Sequence, residues 1–336
     1  MELIRGVDGY NEQRYTDSLR YDGVSFFQKV RRRLANSFNY GTPEFFMFKN
    51  RYARVLQSKN YIQDYILKDR YKAIKYCQEF QQELTFVLPF AYWHYLNGTL
   101  GKTISSRFTR ELYFFSSQHE ERYEKRVDRL AKDSYEIPNM FHCKTFYFHK
   151  WARVPLKEQY KNDLFVFEKP LLVIANKYNT EWGTGPINYF SIPVLDKILS
   201  KFSQQFQIVY NRPGASHIVM DNSAILELKE EEFIRKNYPE VILAENLYQS
   251  YRNQVNNYNH FQLMLYANCD HFLSVHGGAA ALASYFGGKN IILSKSGYEH
   301  RYNEFNTIFP ALSGAEIFHA KEEKDIFKFL DMHYLL

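Results

Sequence analysis

Cysteine is scarce in this 336-residue chain: Cys77, Cys143 and Cys269 are widely spaced and form no Cys-x-x-Cys pair. That spacing excludes a disulfide framework and a cysteine zinc site, and a reducing compartment is the matching expectation. Long apolar runs are missing as well, since no segment reaches the roughly 18 to 20 residues needed to cross a bilayer. Met1 to Tyr15 hold no apolar stretch of the secretory-signal kind, so the expected location is the cytoplasm. No charge sign dominates: 43 Lys and Arg stand against 37 Asp and Glu, a net charge of +6 that is too mild for a polycationic nucleic-acid binder. The Walker loop, Gly-x-Gly-x-x-Gly, His-Glu-x-x-His and Gly-x-Ser-x-Gly are all absent, which leaves kinase, dehydrogenase, zinc-protease and serine-hydrolase readings without support. There is also no Asp-x-Asp, the carboxylate pair that holds Mg²⁺ or Mn²⁺ on a diphosphate, so neither a metal nor a cofactor is expected.

What the chain has in quantity is aromatic surface. Tyr (28) and Phe (29) bring the aromatic content to 18%, and 45% of all residues are hydrophobic, enough for two cores of ordinary domain size. Basic residues gather early, with Lys29, Arg31, Arg32, Arg33, Lys49, Arg51 and Arg54 set among Phe and Tyr. This stretch reads either as a solvated helical face or as a peripheral contact with an anionic membrane.

Residues 1–80 read as a helical, aromatic and basic segment. Residues 81–165, with part of the first segment, read as an N-terminal Rossmann-like domain whose first strands are expected at Leu84–Leu88 and Glu111–Phe115. Between them, Tyr92, Trp93 and His94 follow the first expected strand, where an acceptor could stack and a histidine could serve as acid or base. A core histidine is the competing reading. From residue 166 to 336 strand and helix alternate regularly, which predicts a second Rossmann-like domain. Strands are expected at Leu171–Ala175, Gln207–Tyr210, Val241–Leu243, His271–Val275 and Asn290–Leu293. A helix capped by Ser191 carries Leu195, Ile198, Leu199, Phe202 and Phe206 at helical spacing, and the last helix is expected around Lys324 to Leu330.

The sharpest feature is the end of the fourth of these strands, where Val275 gives way to His276, Gly277, Gly278 and Ala279. Two glycines permit close backbone approach, and unsatisfied N–H groups at the start of a small-residue helix attract a phosphate or sugar oxygen. A tight turn with close helix packing is the alternative. Asn176, Lys177, Tyr178 and Glu181 follow the first strand in a long polar loop, either part of the same site or an ordinary surface loop whose Lys177 and Glu181 pair or are solvated. Arg212, after the second strand, suits a phosphate or a base edge, or is a solvated residue of a turn. Asn259 is a helix cap or an amide ligand, and Glu299 lies in the loop after the last of these expected strands.

The late strand, the Gly-rich turn, the small-residue helix and the following Phe286-Gly287-Gly288-Lys289-Asn290-Ile291-Ile292 together resemble the donor half of two-domain (GT-B) glycosyltransferases of bacterial surface polysaccharide biosynthesis. The resemblance covers about residues 165 to 320. It implies two Rossmann-like domains facing a cleft, a nucleotide-sugar donor at the His276-Gly277-Gly278 turn, and a glycan or lipid-linked acceptor on the N-terminal side. It also implies that Lys177 balances leaving-group charge, Glu181 acts as base or hydroxyl acceptor, and Glu299 binds the ribose or sugar. The implied activity is metal-independent sugar transfer. A sugar-nucleotide epimerase or pyruvyl transferase on the same fold, and a non-catalytic glycan- or membrane-binding protein, remain alternatives.

Overall fold

The computed structural model describes residues 43–127, 132–140, 146–219 and 223–335. The readings placed on residues 1–42 and on Cys143 lie outside them. The chain is mixed α/β with parallel sheets, and it divides into two compact units, Met1–Ala152 and Arg153–Leu336.

In the N-terminal unit, helix α1 (Pro43–Ser58) and a π-helical turn (Gln63–Leu67) precede strand β1 (Lys72–Lys75). A helical stretch follows in three consecutive pieces, α2 (Phe80–Gln82), a π-helical turn (Glu83–Val87) and α3 (Leu88–Leu96). Strands β2 (Leu100–Ser106) and β3 (His119–Tyr123) complete a parallel sheet of order β1-β2-β3.

Both strands expected here are corrected. Leu84 to Leu88 form helix, because a short apolar run buried on all sides carries no periodicity that separates strand from helix. Pro89 does not end the helix. Its missing N–H leaves the Thr85 carbonyl without the usual donor, and the Trp151 indole N–H takes that place at 3.0 Å. Residues 111–115 form turns, held by Leu112 and Tyr113 N–H groups on the Thr109 carbonyl (3.0 and 3.3 Å). The apolar side chains there pack inward, and the Tyr113 hydroxyl donates to buried Glu83 at 2.9 Å. Glu83 in turn pairs with buried Arg126 at 2.7 Å. The true strands β1 to β3 are rich in Lys, Ser, Thr and Glu and show no apolar signal.

The C-terminal unit follows the expected alternation closely. Helix α4 (Leu156–Tyr160) leads into β4 (Leu171–Ala175), α5 (Ile192–Phe202), β5 (Gln207–Asn211), α6 (Glu230–Asn237) and β6 (Ile242–Leu243). Then come α7 (Ala244–Tyr251), α8 (Tyr258–Ala267), β7 (His271–Val275), α9 (Gly278–Ala283) and β8 (Lys289–Leu293). The chain continues through α10 (Tyr298–Arg301), α11 (Ile308–Ser313), β9 (Glu316–Ala320) and α12 (Glu323–His333). The sheet therefore has six strands rather than five, since β9, mostly half-buried and broken by Glu316 and His319, escapes a search for apolar runs.

All six strands are parallel, in the order β6-β5-β4-β7-β8-β9. Winding starts at β4, proceeds outward through β5 and β6, then returns to place β7 on the other side of β4. The β4–β7 pair is thus a topological switch point, where the loops leaving adjacent strand ends diverge and leave a crevice. Leu172, Ile174, Leu273 and Ile291 from the strands pack with Leu195, Ile198, Leu199 and Phe202 of α5 and with Ile326 and Leu330 of α12. Buried Tyr334 fastens the chain end to this core. Its hydroxyl lies 2.8 Å from the Phe272 and Lys289 carbonyls and accepts from the Phe272 N–H at 3.2 Å.

Gly288, at the start of β8, has φ +62°, and a Cβ there would strike the backbone of Asp270. Lys289 N–H donates to that same Asp270 carbonyl at 2.8 Å, so the approach is part of the sheet. Gly288→Ala is expected to lower unfolding stability by about 2 kcal/mol or more, read from the midpoint of a urea titration at unchanged slope.

Candidate functional site

Three loops emerge from the carboxyl ends of β4, β7 and β8 and meet at the switch point. The β4 loop brings Lys177 and Glu181, whose ammonium and carboxylate lie 3.3 Å apart. The β7 loop brings His276, Gly277 and Gly278, and the β8 loop brings Ser294, Gly297 and Glu299. Lys177 and Gly277 are neighbours, because a Cβ on Gly277 would stand 3.6 Å from the Lys177 Nζ. Gly277 has φ +97°, a conformation open to glycine, and Gly277, Gly278 and Ala279 are all half-buried rather than covered. Helix α9 has only six residues, and its first bond runs from Ala281 N–H to the Gly277 carbonyl at 3.1 Å. The amides of Gly278, Ala279 and Ala280 therefore enter the helix ahead of any i−4 acceptor.

His276 is buried and held at both ring nitrogens. Nδ1 lies 2.7 Å from the Ser294 hydroxyl, and Nε2 lies 3.1 Å from the buried Glu299 carboxylate. The Trp182 ring stands edge-on at 5.7 Å. Gly297 is required beside them, since a Cβ there would collide with the His276 ring and come within 2.7 Å of Glu299 Oε2. Behind this pair the Ser294 hydroxyl also meets His300 Nε2 at 2.7 Å, and the Ser294 carbonyl meets His319 Nε2 at 3.0 Å. His300 and His319 pack edge to face with ring centroids 4.2 Å apart. Burial, followed by the neighbouring His319, holds the His300 pKa down at about 4, and burial lowers that of His319 too.

One residue that reading the chain for charged and glycine-rich motifs passed over organises the site. Asn188 gives Glu181 both its backbone N–H (2.9 Å) and its side-chain N–H (2.8 Å). Its oxygen accepts the Lys295 N–H at 2.7 Å, and its amide also donates to the Ser296 carbonyl at 3.2 Å. Asn188 thereby locks the β4 loop to the β8 loop. The rule that ligands gather at strand ends points to Ser294 and Gly297 as soon as β8 is placed. Nothing in the sequence singles out Asn188.

The other expected site residues fall in two groups. Lys177, Glu181, His276, Gly277, Gly278, Ala279 and Glu299 come together as described. Glu181, however, spends its oxygens on the Asn188 and Ile187 N–H groups and on Lys177, so it anchors its loop. Tyr178 is half-buried against Tyr189 at 4.8 Å, and its carbonyl accepts the Leu226 N–H. The remaining residues have structural duties. Asn176 is fully engaged with the Phe190 backbone and the Tyr210 hydroxyl (2.9 to 3.1 Å). Arg212 pairs with buried Glu230 at 2.5 Å and donates to the Leu226 carbonyl, so it is no free phosphate ligand. The cap of α8 is Asn257, which accepts the His260 N–H at 2.9 Å, while Asn259 sits in the first turn and accepts from Gln262.

In the N-terminal unit, His94 is corrected from acid or base to core residue. It is 1% exposed, with Nδ1 2.7 Å from the Thr99 hydroxyl, and burial together with Lys72 and Lys150 holds its pKa down at about 2. Tyr92 and Trp93 ride on helix α3 rather than at a strand end. Tyr92 contacts Phe115 at 5.0 Å, whereas Trp93 contacts Tyr65 at 5.8 Å.

The C-terminal unit thus belongs to the open parallel α/β class with a polar site at its switch point. No protein-family model matches the sequence, and a search of curated proteins returns no match. Among solved structures, a glycosyl transferase family 9 protein from Veillonella parvula DSM 2008 overlaps 87% of this chain and 72% of its own. The identity is 11% and the TM-score 0.34, a loose overlap. No helix among the described residues is long and apolar enough to cross a membrane.

His300 supplies a pH signature of the folded site. Its folded pKa near 4 lies below its ordinary value near 6.5, so the unfolded chain takes up the proton first on acidification. The stability it supports is complete above about pH 6.5 and declines as pH falls toward 4. Urea midpoints measured at pH 7 and pH 5 should drop for the wild type, and the drop should be smaller for His300→Gln.

Proposed function

We propose that the chain is a metal-independent glycosyltransferase whose C-terminal unit binds a nucleotide sugar at the β4, β7 and β8 strand ends. The observation that carries this reading is the convergence of Lys177, the half-exposed Gly277 and Gly278 backbone, and the His276–Glu299 pair on the switch point of the sheet. Such crevices suit an elongated ligand with a charged middle, since each diverging loop can grip a different part.

Lys177 and the amides entering α9 would face the diphosphate and stabilise the charge that grows on it as the sugar departs. Glu181 and Asn188 would hold Lys177 in place for that task. The His276–Glu299 pair would accept the proton of the attacking hydroxyl as a unit, with the Ser294 contact fixing the ring plane. The Trp182 indole beside His276 would offer a face to a sugar or base. The acceptor is assigned to a glycan or lipid-linked glycan and the location to the cytoplasm.

A melting-temperature screen of the full chain against nucleoside diphosphates and monophosphates tests the donor site. At least one diphosphate should raise the melting temperature, by mass action on the folded state. Lys177→Ala and His276→Ala should each reduce turnover on the order of a hundredfold while far-ultraviolet circular dichroism shows the chain still folded. If no nucleotide stabilises the chain, or if both variants turn over at the wild-type rate, the reading fails. Donor consumption without any acceptor would redirect it to an epimerase.

A further inference from the structure

The N-terminal unit exposes a group of large apolar side chains that its own fold leaves uncovered. They centre on the π-helical turn Gln63–Leu67 and the end of α3. Ile62 is 59% exposed, Ile66 66%, Leu67 57% and Leu96 61%, with exposed Tyr61 just ahead of the turn. Two contacts bring these segments together: the Asn97 side-chain amide donates to the Asp64 carbonyl at 2.5 Å, and a Cβ on Gly98 would stand 4.0 Å from the Lys68 carbonyl. Isolated exposed apolar residues are ordinary, but an adjoining set on two elements marks a contact surface.

The charges around the patch select its partner. Lys59, Lys68 and Arg70 are exposed. Of the two carboxylates between residues 59 and 70, Asp64 is buried against Lys150, which leaves only Asp69 at the surface to oppose them. Arg70 also lines a hollow of about 130 Å³ with Tyr95, Phe115, Ser116 and Ser117, and it is the only charged side chain there. Two copies of this chain meeting through the patch would set cations against cations. An anionic surface would not.

We propose that this face docks peripherally on an anionic phospholipid membrane, with Ile62, Ile66, Leu67 and Leu96 entering the interface, Tyr61 at the headgroup level, and Lys59, Lys68 and Arg70 against lipid phosphates. Short apolar side chains give reversible anchoring, and each cation near the surface adds attraction that salt weakens. The proposal rests on residues 59–70 and 96 and does not depend on the donor-site reading.

The test is sedimentation of the full chain with phosphatidylcholine vesicles, alone or mixed with phosphatidylglycerol. The wild type should bind the mixed vesicles, weakly bind phosphatidylcholine alone, and dissociate as salt is raised. The double variant Ile66→Asp and Leu67→Asp should lose binding by about tenfold or more. Lys68→Ala and Arg70→Ala should each lose about fivefold on mixed vesicles only. Val166→Asp, which alters an exposed apolar residue of the other unit, should bind as the wild type does. Far-ultraviolet circular dichroism confirms that the variants are folded. Absence of vesicle binding by the wild type, or unchanged binding by the double variant, overturns the proposal. So does a wild-type dimer in analytical ultracentrifugation that the double variant abolishes, since that outcome assigns the patch to a second copy.

Discussion

Parallel pairing of β4 with β7 is the constraint on which the C-terminal unit depends. Adjacent parallel strands cannot be joined by a tight turn, so the chain winds outward through β5 and β6 before it can lay β7 beside β4. That detour makes the loops after β4 and β7 leave the sheet in different directions. Polar residues carried on those loops then meet at the strand ends. Lys177, His276 and the two glycines stand there as a consequence of winding, and β8 adds Ser294, Gly297 and Glu299 from the next strand over.

The site is crowded with mutual restraint. Each ring nitrogen of His276 has a partner, Glu181 is held by two neighbouring amides, and Ser294 serves His276 and His300 at once. Contacts of this kind among buried polar groups fix side-chain geometry closely. Gly297 illustrates the tolerance: the space that a single methyl group would need is already taken by the histidine ring and the carboxylate.

The sequence was legible where physical demands are uniform along a segment. β4, β7 and β8 are buried on both faces, so they read as short, purely apolar runs between turn residues, and Leu171–Ala175 and His271–Val275 fall where expected. The Gly277-Gly278 turn was legible for the same reason, since only a backbone demand places two glycines between a buried strand and a helix of alanines. The N-terminal unit was not. Its helix core at Leu84 to Leu88 is apolar on every side, and its strands carry Lys, Ser and Glu, so the usual signals are inverted. Arg212 and His94 mislead differently. A lone charged or titratable residue gives no hint of whether its partner is a ligand or, as here, a buried Glu230 or Thr99.

The bridge made by Asn188 reaches beyond the site itself. Because one amide fastens the loop after β4 to the loop after β8, those two segments form a single mechanical body, and neither can open without carrying the other. Insertions or deletions in either loop should consequently be inherited in pairs, and a lineage that abandons the asparagine would be released to vary both loops at once.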